Sequence, residues 1–389
     1  LFPAKTVSYN LLKAVFCSPM KYYLIAGEAS GDLHGSNLIK QLLQKDASAD
    51  IRCWGGDLMQ AAGAALVKHY RDLAFMGFAE VVRNLPTILG NIRFCKQDIL
   101  AYRPDVLVLI DYPGFNLRIA RWAKKQGFKV VYYISPQVWA WKENRVKQMK
   151  QSIDKMLCIL PFEKDYYRTK WNWAVDYVGH PLVEVVNQAI ASRGGHSSEK
   201  KIIALLPGSR KQEIGKKLPI MLEVAAHFPD YQFVVAQAPG QDESFYAPFL
   251  APYSNVSVVR NETYSLLLQA RAALVTSGTA TLETALFGVP EVVCYKGSNI
   301  SYQIAKRLIK IKYISLVNLI MDKPVVKELI QDDLTVPNLI RELRLLLTDE
   351  RHLQILKEDY ARLKAILSEG SNASEQAATI IHRFGLVSQ

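Results

Sequence analysis

Long apolar runs are missing from this 389-residue sequence: the clean ones, such as Val106 to Ile110, stop far short of the roughly 18 residues that a membrane span needs. A span is therefore not expected, and the chain reads as soluble or peripheral. Cysteine is sparse. Cys17, Cys53, Cys95, Cys158 and Cys294 lie far apart with no C-x-x-C, which argues against a disulfide frame or a zinc site and for reduced thiols in the cytoplasm. The seven histidines form no H-x-x-H or H-E-x-x-H, so no metal is expected, and no zinc-finger or RNP pattern supports a nucleic-acid module. Acidic residues are in deficit, 36 against 48 Lys+Arg, and the resulting charge of +12 draws polyanions, acidic lipid surfaces or phosphorylated small molecules. Half of the residues are hydrophobic, which excludes disorder, and the length suggests two domains.

Residues 1–19 read as an irregular extension, with Lys13 interrupting the only candidate for a signal-type apolar stretch, and the functional fold is expected to start at Met20. From there one unit repeats: a short apolar run, a Gly or Pro turn, a stretch of helical period. That is the α/β signature. Strands are predicted at Tyr22–Ala26, Ile51–Trp54, Val106–Ile110, Lys129–Ile134, Lys155–Ile159 and Asp176–Val178. After Gly179-His180-Pro181 the pattern loosens into the polar stretch Ala191 to Lys200, the best linker in the chain. A second series follows at Ile202–Leu206, Gln232–Ala236, Val256–Val259, Ala272–Val275 and Glu291–Cys294, and the chain from about Val336 to Phe384 is helical. The expectation is two doubly wound, Rossmann-like domains facing across a cleft, 20–185 and 186–365, with a C-terminal helix over 366–389.

Several strand exits carry chemistry-bearing residues. The first junction, Gly27-Glu28-Ala29-Ser30-Gly31-Asp32 with Gly35, suits either a ligand approaching backbone N–H groups or a helix cap with glycines for packing. It matches neither G-x-G-x-x-G, the P-loop nor G-x-S-x-G, so nicotinamide binding, P-loop hydrolysis and a serine nucleophile lose support. Asp111 follows a buried strand before Tyr112-Pro113-Gly114; it suits a general base of raised pKa, although local residue types favour a turn-former. Trp139 and Trp141 follow another strand, as pocket lining or as a core aromatic pair. In the second half, Gly208-Ser209-Arg210 and Ser277-Gly278-Thr279 both end strands. Small residues there open helix N-terminal N–H groups to an anion, Arg210 suits a diphosphate, and Glu283 suits ribose hydroxyls or the helix dipole. Two such turns in one domain favour a nucleotide diphosphate.

These stretches, together with Met76-Gly77, Ser135-Pro136-Gln137-Val138-Trp139-Ala140-Trp141, Leu160-Pro161-Phe162-Glu163, Val178-Gly179-His180-Pro181 and Ser277 to Glu283, come in one order along the chain. In that combination the chain resembles the lipid-A-disaccharide synthase family from Met20 to its end. The resemblance implies a GT-B fold and an inverting glycosyltransferase of lipid A synthesis without a cofactor. The family joins UDP-2,3-diacylglucosamine to 2,3-diacylglucosamine 1-phosphate through a β-1,6 bond and releases UDP. It also implies family positions at Asn318, Glu328 and Gln331, while Gly114 departs from members that carry an acidic residue there. No Asp-x-Asp occurs, so the metal-anchoring pair of the other large glycosyltransferase fold is missing.

On this reading Asp111 is the base. Ser209, Arg210, Gly278, Thr279, Glu283, Asn318 and Gln331 hold the donor, and Gly27, Glu28, Ser30, Gly31 and Asp32 form an acceptor phosphate loop. The acylated substrates call for contact with anionic lipid of the cytoplasmic membrane. The apolar stripe Val81, Val82, Leu85, Ile88 and Leu89, flanked by Arg83 and Arg93, suits that contact, or packing on the sheet. The helical tail either returns to the first domain or exchanges within a homodimer. A lipid-linked peptidoglycan transferase, a UDP-N-acetylglucosamine 2-epimerase and a non-catalytic basic lipid-binding protein are the competing readings.

Overall fold

The computed structural model describes residues 19–73, 85–193, 201–238, 240–297, 312–368 and 372–387. The first half alternates β1 (Lys21–Ala26), α1 (Ala29–Lys45), β2 (Asp50–Gly55), α2 (Asp57–Ala61), β3 (Ala65–His69), α3 (Leu85–Tyr102), β4 (Val106–Ile110), α4 (Pro113–Lys125) and β5 (Val130–Tyr133). It continues through α5 (Val138–Trp141), α6 (Val146–Ser152), β6 (Lys155–Cys158), α7 (Pro161–Trp171), β7 (Asp176–Tyr177) and α8 (Pro181–Arg193). The second half runs β8 (Ile202–Leu206), α9 (Lys211–Glu223), β9 (Gln232–Gln237), α10 (Glu243–Leu250), β10 (Val256–Arg260), α11 (Thr263–Gln269), β11 (Ala272–Thr276), α12 (Thr279–Leu286) and β12 (Glu291–Tyr295). Then come α13 (Leu316–Met321), β13 (Lys327–Ile330), α14 (Val336–Thr348), α15 (Glu350–Leu367) and α16 (Ala373–Leu386).

The strands form a seven-stranded sheet of order β3-β2-β1-β4-β5-β6-β7 and a six-stranded sheet of order β10-β9-β8-β11-β12-β13. The registered pairs are parallel. Central strands such as β4 and β11 are buried along their whole length, which is why they read as unbroken apolar runs. The strand order reverses between β1 and β4 in the first sheet and between β8 and β11 in the second. In an open parallel sheet the connections leave such a pair on opposite faces, and a crevice opens at the carboxyl ends of its strands. Ala26 registers with Ile110, and Leu206 with Val275, so Gly27 and Asp111 share one crevice edge and Pro207-Gly208 and Thr276-Ser277 the other.

By contacts the chain forms two compact units. One comprises Leu1–Pro136, Gln148–Leu157 and Ser374–Gln389, the other Gln137–Lys147 and Cys158–Ala373. The tail helix α16 thus groups with the first unit. There the Lys129 ammonium donates to the Gly385 carbonyl at 2.6 Å, the Tyr22 hydroxyl meets His382 Nδ1 at 3.0 Å, and a Cβ at Gly385 would overlap Met20.

Three expectations need correction. The stretch from Ala191 does not begin as linker: Ala191 to Arg193 are the last turn of α8, a helix with Val183, Val185 and Val186 buried, and 194–200 lie outside the described residues. Strands β3 and β13 escaped the reading, because both lie at sheet edges, where Lys68 and His69, or Lys327 and Glu328, replace an apolar run. Strand β5 is shorter than predicted because Ile134 takes a left-handed φ of 67°, rare for a β-branched residue, and turns the chain out of the sheet.

Candidate functional site

In the first unit the crevice at β1 and β4 is built around an unusual backbone. Asp111 and Tyr112 are consecutive left-handed residues, φ 44° and 50°, a conformation that costs free energy for residues with a side chain and is held here by its surroundings. The Asp111 N–H donates to the Tyr133 carbonyl at 3.0 Å, and the Asp111 carbonyl accepts from the Tyr132 hydroxyl at 2.6 Å and Asn116 Nδ2 at 2.8 Å. Fully buried Asn116 also donates to the Ile25 and Ile110 carbonyls, tying the ends of β1 and β4 together. The Asp111 carboxyl is pushed up to about 6, chiefly by burial and then by the negative charge of Glu28, against the pull of a hydrogen bond from the Tyr112 N–H. The Tyr112 ring lies so close over Gly27 that a Cβ there would come within 2.3 Å of it, so the glycine serves close approach of this ring.

The junction of β1 and α1 divides its labour. Glu28 and Ser30 are exposed, whereas Gly31 is buried against Ala26. Asp32 is 3% exposed, and its carboxylate accepts from the N–H groups of Gly56 at 2.8 Å, Met59 at 3.0 Å and Leu58 at 3.2 Å. It therefore caps α2 rather than its own helix. His34, one turn along α1, is buried, and burial pushes it down to about 4, so it is neutral near pH 7.

In the second unit a cavity of about 350 Å³ opens at the carboxyl ends of β8, β9 and β11. It brings together Gly208, Ser209, Gly278, Thr279 and Glu283, all singled out from the sequence, with Glu213, Gln237, Thr263, Thr276 and Ser277. Gly278, the N-cap of α12, has φ 152°, and a Cβ there would meet nothing within 4 Å: the turn needs glycine for its backbone angle and leaves open space in front of the helix N-terminus. Arg210 sits at the N-cap of α9, 65% exposed, with Nη1 3.4 Å from Glu213 Oε1. Glu283 accepts from the Tyr264 hydroxyl at 2.7 Å, and burial pushes its carboxyl up against that bond.

Asn318 and Gln331 do not line this cavity. Asn318 is 1% exposed, and its amide is bonded on both sides, donating to the Val326 carbonyl and Glu328 and accepting from the Val326 N–H. Glu328 also takes the N–H groups of Ile314 and Ser315, while the Ser277 hydroxyl donates to the Ile314 carbonyl at 2.9 Å. This bracket holds the Ser277-Gly278 turn from behind. Gln331, left-handed at φ 54°, accepts from the Gly297 N–H at 2.7 Å and so fixes the chain after β12.

Trp139 and Trp141 form no core pair. Trp139 donates to the buried Glu163 carboxylate at 3.2 Å and packs edge-on to Phe162, while Trp141 is 55% exposed with the Lys142 ammonium 3.6 Å above its ring. Val81 and Val82 lie outside the described residues, as does Met76-Gly77. Leu85 opens α3, Ile88 is half-buried and Leu89 is exposed, and the apolar exposure continues at Phe94 and Leu100. Sequence reasoning missed Tyr264 and Glu213. Tyr264 carries no local signal, whereas Glu213 was legible as the residue one turn beyond Arg210 on the following helix.

Comparison with known proteins bears on both units. The model of the family described as Lipid-A-disaccharide synthetase matches residues 22–382. The lipid-A-disaccharide synthase of Geobacter metallireducens is 38% identical over 93% of this chain and 97% of its own length; that of Syntrophus aciditrophicus is 39% identical over 92% and 96%. Among solved structures, UDP-GlcNAc 2-epimerase from Neisseria meningitidis superposes with a TM-score of 0.66 at 12% identity, covering 94% of this chain and 100% of that one. The glycotransferase of kitacinnamycin gives 0.66 at 17% identity, over 94% and 99%. At such identities the structures speak for the fold alone, which is GT-B, while the family match and the relatives carry the activity class, a glycosyltransferase of lipid A synthesis. The chain belongs to the lipid-A-disaccharide synthetase family.

Proposed function

We propose that the chain transfers 2,3-diacylglucosamine from its UDP carrier to the 6-hydroxyl of 2,3-diacylglucosamine 1-phosphate, with inversion to a β-1,6 bond and release of UDP. The observation that carries this reading is the cavity of the second unit, whose glycine turns, helix N-terminus and adjacent Arg210 suit a diphosphate and whose Glu283 suits a ribose. Arg210, Ser209 and the N–H groups at Gly278 and Thr279 would neutralise the departing diphosphate; Glu283, set by Tyr264, would accept from the ribose hydroxyls. Such fixed charge is the usual main source of rate in transfers of this kind. Asn318 and Gln331 would serve donor binding at one remove, by bracing the turns.

Asp111 would take the proton of the acceptor hydroxyl as that oxygen attacks the anomeric carbon. Its raised pKa keeps it basic enough to do so and ionised near pH 7. Gly27, Glu28 and the first turn of α1 with Ser30 and Gly31 would meet the acceptor's 1-phosphate, with Asp32 anchoring that turn. In this scheme 20–185 is the acceptor half, 186–365 the donor half and 366–389 a helix returning to the acceptor half, and the protein works at the cytoplasmic face of the inner membrane. The Arg- and Lys-bearing surface of α3 would touch anionic lipid there.

Incubation with both acylated sugars tests the reaction. The expected products are the disaccharide 1-phosphate and UDP in equal amounts. A 2-epimerised sugar, or no UDP, would overturn the assignment.

A further inference from the structure

Lys217 has only 2% of its surface exposed, yet it lies on the face of α9 that carries Arg210 and Glu213. Spacings of three and four residues stack the three side chains along one side of the helix start. The Lys217 ammonium is 3.9 Å from Glu213 Oε2, its one ion pair among the described residues. Neighbours on the helix, Ile214, Leu218 and Met221, are fully buried apolar residues. Burying a charge there is costly, and one partner at 3.9 Å on a part-exposed carboxylate offsets little of that cost. Cys294, beside it, is a neutral thiol, pushed up to about 12 by burial, and offers the ammonium no counter-charge near pH 7.

Glu213 itself is poorly placed for an anion site. It lines the cavity, its Oε2 would stand 3.0 Å from a Cβ at Gly208, and its Oε1 faces Arg210 Nη1 at 3.4 Å. An unneutralised carboxylate there repels a diphosphate and competes for the guanidinium meant to bind it. We propose that Lys217 is a positioning residue for donor binding: its buried ammonium offsets the charge of Glu213 and so weakens the hold of that carboxylate on Arg210, which the donor's diphosphate can then displace. The inference rests on reading this cavity as a UDP-sugar site.

Titration calorimetry of the full chain with UDP, and with uridine as a probe lacking phosphate, decides it. Lys217→Met keeps the volume, and Glu213, 37% exposed, remains hydrated when the ammonium is removed. The expected result is about tenfold weaker UDP binding with uridine binding unchanged, and recovery to within about twofold of the original affinity in Lys217→Met/Glu213→Gln. Glu213→Gln alone should bind UDP more tightly, and should Lys217→Met fail to fold, the comparison of Lys217→Met/Glu213→Gln with Glu213→Gln decides it, because loss of the ammonium should change UDP affinity by no more than about twofold once the carboxylate is gone. Unchanged UDP affinity in Lys217→Met, equal losses for UDP and uridine, no recovery in the double variant, or weaker UDP binding in Glu213→Gln would each overturn the proposal. If the unaltered chain binds no UDP, the UDP-sugar reading falls first and this inference with it.

Discussion

A carboxylate that must accept a proton from an alcohol needs to be ionised at working pH yet less stabilised by water than a surface Asp. On the proposed mechanism Asp111 is that carboxylate: it lies at the end of β4, where burial first and the like charge of Glu28 second push it up to about 6. The sign of the pH effect follows. Below about 6 the group is protonated and cannot act as base, so kcat/KM should rise through that value and level off above it. Asp111→Asn should lower turnover on the order of 10²- to 10⁴-fold while UDP affinity stays the same. Glu28→Gln removes the like charge, and the midpoint of the acid limb should then move to lower pH. Rate measurements from pH 4.5 to 8 on the three proteins check this, and a flat profile for the unaltered chain would remove Asp111 from the chemistry.

At the scale of elements, the first turn of α1 is tied to the start of a neighbouring helix. Asp32 supplies the cap of α2, taking three backbone N–H groups that would otherwise be buried at the start of a five-residue helix. Asp32→Ala leaves those donors without a partner, and a loss of about 1–3 kcal/mol is expected, read as a lower denaturant midpoint at unchanged m-value. Asp32→Asn, which keeps one acceptor oxygen, should lose less; equal losses would mean that the cap contributes little. The same junction shows what was legible in the sequence. Strands β1, β4, β8 and β11 announce themselves as apolar runs, and the turns that follow them mark one crevice in each unit, so each candidate crevice was readable from local pattern. Asp32 was readable as a cap but not as the cap of α2, because its partners lie 24 to 27 positions away. Asn318 resembled a ligand-binding position, and only the fold shows its amide spent on Val326 and Glu328. Edge strands β3 and β13 and the partner Tyr264 had no local periodicity to report them.

Over the whole molecule, the +12 charge and the apolar exposure need one explanation between them. No helix among the described residues is long and apolar enough to cross a membrane. On α3, Leu89, Arg93, Lys96 and Leu100 follow one another at spacings of four, three and four residues, which puts them on one side of the helix. Leu89 is 53% exposed and Leu100 45%. Apolar and basic side chains sharing an exposed helix side suit an anionic lipid surface, where the leucines enter the headgroup boundary and the cations gain roughly 1 kcal/mol each. Vesicles containing anionic lipid should therefore retain the protein in sedimentation, neutral vesicles should retain much less, and added salt should release it. Leu89→Ser with Leu100→Ser removes the apolar part while leaving the net charge intact. At about 25 cal/mol per Å² of buried apolar surface, the loss should be tenfold or more in vesicle affinity. Release of UDP in transfer from a short-chain, water-soluble UDP-sugar donor to a short-chain acceptor should be unaffected, because neither leucine is placed at the crevice of β1 and β4. Retention of the double variant at the level of the unaltered chain would move the membrane contact away from α3, and loss of activity on the soluble acceptor would show that the two leucines serve the enzyme's own structure instead.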